Sequence, residues 1–482
     1  MEEKAGAQIG KRAFIQSLII LFVLMMAAGI MTLVIPAGSY ARVTVGGRET
    51  IDPNSFTSIQ HPDYPIWRWF VAPIEVLSSS SGLMVIVIII VLFFAGGAFA
   101  VLDKTGTLRA FIGRIVRQYS GRKYILLWMV CLAFMFLGAT LGTFEEVVLL
   151  VPVMIVLSYS MGWDALVGLG MSILATNMGF SAAISNPYTL GVSQQLAGLP
   201  LFSGAWLHII IFIVIYLIFA AFISSYAHKI DKDPTKSLIY GLDTAEREKY
   251  KVIDETFIKN DPKQNQAMNF FGIFVILIFI SMLAVPFISA LSDYALPIVG
   301  ILFLIGGLGA GFISGAGSKK VFQGLKEGLI GLAPSVPLIL MAASIRYIID
   351  RGGVTDTILH SAADPFKHLG AFPASIVIFG LALGIEFFIA SGSAKAFLMM
   401  PIVLPLADLI GVTRQTAVLA YIFGDGFSNL AYPTNPVLLI SLGLTVVSYP
   451  KWLQWTLKLW FWVILATIAF LGIAVAVKFG PF

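Results

Sequence analysis

Gly179-Phe-Ser-Ala-Ala-Ile-Ser-Asn-Pro-Tyr-Thr189 and Gly426-Phe-Ser-Asn-Leu-Ala-Tyr-Pro-Thr-Asn-Pro436 each carry an Asn-Pro dipeptide, at Asn186-Pro187 and Asn435-Pro436. Each falls inside an apolar stretch of helical character. Proline removes a backbone donor and turns the preceding residue away from helix, so both stretches read as broken helices. The dipeptides lie 249 residues apart in a chain of 482. The same shift aligns Pro152 with Pro401, Gly162 with Gly411 and Trp206 with Trp455, without a gap. At a shift of 247, Leu102-Asp103-Lys104-Thr105-Gly106 resembles Ile349-Asp350-Arg351-Gly352-Gly353. The chain therefore reads as two repeats, each built around one break.

Composition fixes the solvent. The chain is 58% hydrophobic and 12% charged, with a mean hydropathy of +0.91, a profile of polytopic membrane proteins. The single cysteine, Cys131, excludes an intrachain disulfide and reads as a small core residue. Five unclustered histidines give no metal signature. The apolar run Phe14–Ile35 is long enough to cross a bilayer, at about 33 Å of helix, and reads as an uncleaved first span.

Loop charge sets the orientation. Residues 103–123 carry six Lys/Arg, against three in the polar segment 37–70, which contains Gly46-Gly47 and the strand-like Tyr40–Val45. The positive-inside rule puts 103–123 and the N-terminus in the cytoplasm and 37–70 outside. The basic face from Arg109 to Lys123 reads as a lipid headgroup contact. By the same logic Asp103 lies inside and Asp350 outside, so the repeats run in opposite senses through the membrane. Inverted repeats with discontinuous helices point to a secondary transporter with its site at the repeat interface.

The expected fold class is an all-α polytopic membrane protein with two inverted repeats, re-entrant hairpins and broken helices. Residues 1–123 form a first segment. Residues 124–227 form the first repeat, with a hairpin at 124–160, a broken helix at 164–199 and a return helix at 205–227. A polar cytoplasmic linker follows at 228–267. Residues 268–370 form a second segment, with spans Phe270–Ala290, Leu296–Gly315 and about Ile330–Ile349 and an external loop at 351–370. Residues 371–482 form the second repeat, with a hairpin at 371–410, a broken helix at 414–447 and a last helix at 452–478. The first hairpin tip is expected near Gly142–Glu146, because adjacent carboxylates within some 36 apolar residues cannot face lipid cheaply.

The run Gly142-Thr-Phe-Glu-Glu146 with Pro152, followed by Gly179-Phe and Asn186-Pro187-Tyr188, resembles the YfcC family, as does Ala95-Gly96-Gly97 with Thr105-Gly106. That family is grouped with the ArcD-type basic amino acid antiporters and, more remotely, with DcuC-type C4-dicarboxylate carriers. The resemblance spans nearly the whole chain. It implies the ion transporter superfamily architecture, a scaffold plus a transport domain moving in an elevator-like manner, and a homodimer joined through scaffold helices. The superfamily's hairpin signature is Ser-Asn-Thr, whereas the breaks here read Ser-Asn-Pro and Thr-Asn-Pro, so sodium coupling does not follow from the resemblance.

The candidate substrate-binding residues are Thr143, Glu145, Glu146, Asn186, Pro187, Tyr188, Thr189, Ser391, Gly392, Ser393, Lys395, Thr434 and Asn435. The return arms of the hairpins would offer free N–H groups to a carboxylate, and the broken helices would offer carbonyls to a cation. Asn186 and Asn435 can both donate and accept. Glu145 and Glu146 favour a cationic group. Lys395, which falls on the Glu146 position in the repeat, fits either a second substrate carboxylate or an internal ion pair. A coupling-ion site is expected among Glu145, Ser185, Asn186, Asp425, Asn429 and Asn435, for Na⁺ or H⁺, with Asp425 reading equally as the group that neutralises Lys395; no other cofactor and no firm metal site is expected. Glu386 reads as a cavity residue or a buried partner, and Arg346 as an anchor within its span. Tyr432 reads as aromatic packing.

These features favour a transporter of amino acids, basic ones first, in a bacterial inner membrane. A carboxylate transporter of the same fold is the alternative. An intramembrane hydrolase using Ser391 or Ser393 with Lys395 has no second constellation to support it, and a passive channel fits the deep hairpins poorly. The sequence lacks the Gly-x-x-x-x-Gly-Lys-Ser/Thr loop of an ATP-driven pump. The expected partners are a small-molecule substrate and the bilayer, with no nucleic acid.

Overall fold

The structure is a computed structural model that describes residues 11–480, apart from 46–47, 53, 80–81, 120, 252–261, 285–290, 292–293 and 364–368. The expected Gly46-Gly47 turn, the polar residues 1–10 and the end of the span drawn to Ala290 lie outside the described residues.

The first segment contains α1 (Lys11–Val34), α2 (Trp67–Glu75), α3 (Gly82–Lys104) and α4 (Thr107–Gln118). Between α1 and α2 the all-α expectation needs correction. Strand β1 (Gly38–Ser39) pairs with β4 (Thr57–Ser58), and β2 (Arg42–Val45) pairs antiparallel with β3 (Arg48–Ile51). The Tyr40–Val45 stretch thus forms a strand over its last four residues. This cap is tied to the second segment: Arg42 pairs with Asp356 at 3.0 Å, and Phe56 stacks on His360 at 3.9 Å.

The next stretch runs α5 (Lys123–Leu141), a tip, and α6 (Val151–Ser160), then α7 (Ala165–Leu169), α8 (Ala175–Ser181), α9 (Val192–Leu196) and α10 (Ala205–Lys232). A wide π turn, Gly170–Leu174, joins α7 to α8, and another, Pro187–Gly191, leads into α9. Asp164 caps α7 by accepting from Val167 N at 3.0 Å. The linker is more structured than a polar connection requires. Its α11 (Thr244–Lys251) packs on α6, and Tyr226 and Ser237 both donate to Asp164 Oδ2 at 2.7 Å.

The second segment holds α12 (Pro262–Ala284), α13 (Ala295–Ile313), α14 (Ser318–Leu332) and α15 (Ser335–Arg351). The expected span Ile330–Ile349 is divided at Ala333-Pro334, because proline cannot continue the hydrogen-bond ladder of α14. Lys319, Lys320 and Lys326, expected in a loop, lie on α14. The expected external loop 351–370 carries α16 (Thr355–Ala363). The last stretch repeats the order of the 123–232 stretch: α17 (Ala371–Glu386), a tip, α18 (Gly392–Leu409), α19 (Arg414–Ser428), a break, α20 (Pro436–Gly443) and α21 (Tyr449–Ala476).

Glycines set the closest packing. A Cβ on Gly424 would come 2.6 Å from Ala382 Cβ and closer still to Phe379 O, so α19 lies against α17 almost backbone to backbone. Gly179 brings α8 against Met135 of α5 in the same way. Cys131 is fully buried, as a small core residue should be. Among the described residues, eight helices are long and apolar enough to cross a membrane. Their outer faces expose Leu83, Leu217, Ile276, Phe461 and Trp462, which only a lipid solvent accommodates at this density. The chain is an integral membrane protein.

Candidate functional site

The first tip begins where Gly142 adopts the left-handed conformation (φ +67°) and returns its N–H to Gly138 O, ending α5. Phe144 N donates to Glu146 Oε2 at 3.2 Å, so the Glu146 carboxylate braces its own turn. Glu145 has no such task and is solvent-exposed. One tight turn, Glu146–Leu150, then leads into α6, with Pro152 near its start, where a missing N–H costs nothing. The second tip ends at Ser391, whose hydroxyl caps α18 through Ala394 N at 3.5 Å.

The breaks share one local solution. Asn186 Oδ1 accepts from Tyr188 N at 2.9 Å and Thr189 N at 3.3 Å, and Asn435 Oδ1 accepts from Val437 N at 2.9 Å. Each asparagine is a helix cap and each proline the first residue of the restarted helix, where its fixed φ is already correct. The repeated dipeptide therefore restarts each helix as well as interrupting it. Both tips meet the breaks: a Cβ on Gly142 would overlap the Asn186 carboxamide, and one on Gly392 would lie 2.6 Å from Thr189 Cγ2.

Tips and breaks enclose a cavity of about 480 Å³. Its walls include Gly142, Phe144, Glu145, Glu146 and Tyr188 from the first half and Ser391, Gly392, Ser393, Asn429, Thr434 and Asn435 from the second. Met84, Val85 and Ile88 of α3, Leu296 of α13, and Ala342, Ala343 and Arg346 of α15 also line it. Two carboxylates and one guanidinium are thus its charged side chains among the described residues, beside the Tyr188 phenol. Arg346 Nε also lies 3.4 Å from Asp350 Oδ2, one helical turn along.

Lys395 is elsewhere. It is fully buried, contacts Glu386 Oε2, and lies 2.8 Å from Asp425 Oδ1; those two side chains are each 1% exposed. The expectation that Lys395 could meet a substrate carboxylate is corrected accordingly: the first turn of α18 carries it inward, where two carboxylates hold it. Glu386 is likewise a buried partner and not a cavity residue.

Of the remaining candidates, Thr143, Asn186, Pro187 and Thr189 stand behind the cavity wall, with Thr143 and Thr189 hydroxyls and the Asn186 amide nitrogen making no hydrogen bond. Ser185 donates to Thr140 O at 3.2 Å. The expected ion-site set is not gathered in one place. Glu145, Asn429 and Asn435 line the cavity, Asp425 belongs to the lysine cluster, and Asn435 Nδ2 donates to Asn429 at 3.3 Å. Tyr432 packs edge-on against Phe387. Within the basic face, Arg114 bonds Asn269 and Lys123 pairs with Asp231, so part of it serves the protein itself. Arg346 is the residue sequence reasoning undervalued. An arginine inside an apolar span was the available signal. The apolar wall from α3 and α13 left none, since any spanning helix looks alike.

Apolar spans surrounding a cavity that carries two carboxylates, a guanidinium and several hydroxyls in a largely apolar wall, closed by two helix-linking tips and two interrupted helices, define a membrane transport protein. The chain belongs to the DcuC family, described as C4-dicarboxylate anaerobic carrier, whose family model matches residues 14–476. It is 28% identical over 474 residues to the Escherichia coli (strain K12) protein named "Putative basic amino acid antiporter YfcC", covering 91% of this chain and 92% of that one. A Haemophilus influenzae relative described as an uncharacterized protein is 25% identical over 371 residues, covering 76% and 70%. Among solved structures, the Alcanivorax borkumensis YdaH transporter aligns over 96% of this chain and 100% of its own at 18% identity, with a TM-score of 0.44. Neisseria gonorrhoeae MtrF aligns over 94% of each chain at 14% identity, with a TM-score of 0.41.

Proposed function

We propose that this chain is a secondary transporter of basic amino acids, working by exchange or by coupling to an H⁺ or Na⁺ gradient. The observation that carries the reading is the charge inventory of the cavity. A basic amino acid brings two cationic groups and one carboxylate, and the cavity presents the complement, Glu145, Glu146 and Arg346. Ser391, Gly392 and Ser393 add the start of α18, whose free N–H groups and dipole suit the same carboxylate. The name carried by the E. coli relative points to the same substrate class.

A C4-dicarboxylate is the second reading, and the family's description favours it. It needs two cationic partners. Arg346 is one; Lys395 is engaged by Glu386 and Asp425. In the preferred reading, residues 124–227 and 371–482 are inverted repeats forming a transport domain. Residues 1–123 and 268–370 are its scaffold, and the transport domain moves against that scaffold as an elevator. The parallel element order and the 249-residue shift support the repeats, and the opposite loop assignments of Asp103 and Asp350 support their inversion. The same reading takes the protein as a homodimer in a bacterial inner membrane, with a cytoplasmic N-terminus.

The test is counterflow in proteoliposomes holding the purified protein, with labelled arginine or lysine in one arm and succinate in the other. Saturable arginine or lysine counterflow is expected. Succinate counterflow without either would overturn the assignment.

A further inference from the structure

The Lys395 cluster is not explained by substrate binding. Glu386 closes α17, Lys395 sits in the first turn of α18, and Asp425 lies on α19, so the three tie both arms of the second hairpin to the broken helix. Two carboxylates and one ammonium sum to −1 when all are ionised. At 0–1% exposure that excess charge has no water to stabilise it, and an uncompensated buried charge is strongly disfavoured. Other titratable groups facing the cluster are Tyr421, one turn before Asp425, and Tyr432 in the second break; neither supplies positive charge.

We propose that Glu386, Lys395 and Asp425 form a proton-binding site that couples transport to the proton gradient. The ammonium already stands between the carboxylates, where a metal cation would have to sit. A proton needs no such room and reduces the cluster to one carboxylate paired with one lysine. Glu386 Oε1, buried and without a hydrogen bond, is an available seat for it.

The cluster lies directly behind the cavity. Gly392 lines the cavity on one side, and on the other a Cβ there would lie 2.9 Å from Asp425 Oδ2. Tyr421 donates its hydroxyl to the Gly392 carbonyl, fixing this strip of backbone to α19. A substrate carboxylate at Gly392–Ser393 adds negative charge beside the cluster and strengthens its hold on the proton. By reciprocity the proton strengthens substrate binding, so the two load together. This loading rests on the substrate reading above; proton binding by the cluster does not.

Two measurements separate them. In the first, the melting temperature of the purified full chain is followed against pH without substrate. Glu386→Gln removes one proton-binding carboxylate, so its curve should be flatter than that of the wild type. Asp425→Asn, an independent neutralisation, should flatten it in the same way. Curves with unchanged pH dependence in both variants would overturn the site. In the second, wild-type proteoliposomes with a trapped pH dye receive arginine. Coupling predicts on the order of one proton moved per arginine, with the ratio falling towards zero in Glu386→Gln. The wild-type ratio in the variant would overturn the coupling. Absence of arginine transport in the wild type would sink the substrate reading and leave the first measurement to decide the proton site.

Discussion

The two hairpins share an order of elements and differ in what they do with charge. In the first, Glu145 opens onto the cavity while Glu146 braces the tip. In the second, Lys395, 249 residues after Glu146, points inward, sealed by Glu386 and Asp425. One tip leaves a charge open to the cavity and the other conceals it. The halves are also held differently at their return arms, since α6 is covered by the linker helix α11. The same order of elements thus carries different arrangements of a few ionisable residues, and each part of that division can be broken on its own.

The largest effect is expected at the concealed charge. Lys395→Met leaves two buried carboxylates facing each other and should cost about 3–5 kcal/mol, as removing one partner of a buried pair does. Thermal unfolding in detergent checks it. A melting temperature equal to the wild type would show that the cluster is not an ionised network, and the contrast between the tips would fail.

Next is the clamp on α6. Asp243, just before α11, is 1% exposed, and neither of its carboxylate oxygens makes a hydrogen bond. Burial first, and then the neighbouring Asp164, push its carboxyl up to about 7, against a partial opposing pull from Arg247. The folded state therefore holds this proton more tightly than the unfolded chain. The stability linked to Asp243 is full below about pH 4 and is lost as pH rises through about 7. The shift sets an upper limit of about 4 kcal/mol. Asp243→Asn should raise the melting temperature at about pH 8 and change it little at about pH 4. A uniform effect across pH would mean that folding does not shift the Asp243 carboxyl.

Transport isolates the open tip. Glu145→Gln removes a charge from the cavity without touching the turn, so it should weaken a basic substrate by about 1.5–3 kcal/mol, or roughly 10- to 100-fold in apparent affinity. The melting temperature should hold. Undiminished arginine counterflow in Glu145→Gln would place the cationic subsite elsewhere and erase the distinction between a charge offered and a charge hidden.

Much of this comparison was legible in the sequence because broken helices and intramembrane charges are rare enough to stand out. Asn186-Pro187 and Asn435-Pro436 located both restarts, and Glu145-Glu146 located the first tip. What the residues could not give was direction. Glu145 and Glu146 are chemically identical neighbours, and only the turn set by Gly142 decides which of them braces the tip and which stands open to the cavity. Lys395 could face out or in until the first turn of α18 was placed. Asparagine at a break looks like a ligand, yet the nearest unsatisfied groups are the N–H groups of the next helix, and they claim its oxygen first. Arg346 and the walls from α3 and α13 reach the cavity through packing between distant segments, which no local pattern records.

The smallest expected effects come from the tip glycines, and they test whether the two tips differ in more than their charges. Gly142→Ala forces a left-handed residue with a Cβ and should cost about 1–2 kcal/mol, besides pressing on the Asn186 cap. Gly392 carries no left-handed penalty; an alanine there has to displace Thr189 and Asp425. Both variants should melt below the wild type, Gly142→Ala further. Only Gly392→Ala should change how melting responds to pH, because only its Cβ disturbs a carboxylate of the buried cluster. Melts at about pH 5 and about pH 8 compare them. An identical pH response in the two alanine variants would cut the link between the backbone of the second tip and the charge it hides, leaving the tips distinguished by Glu145 alone.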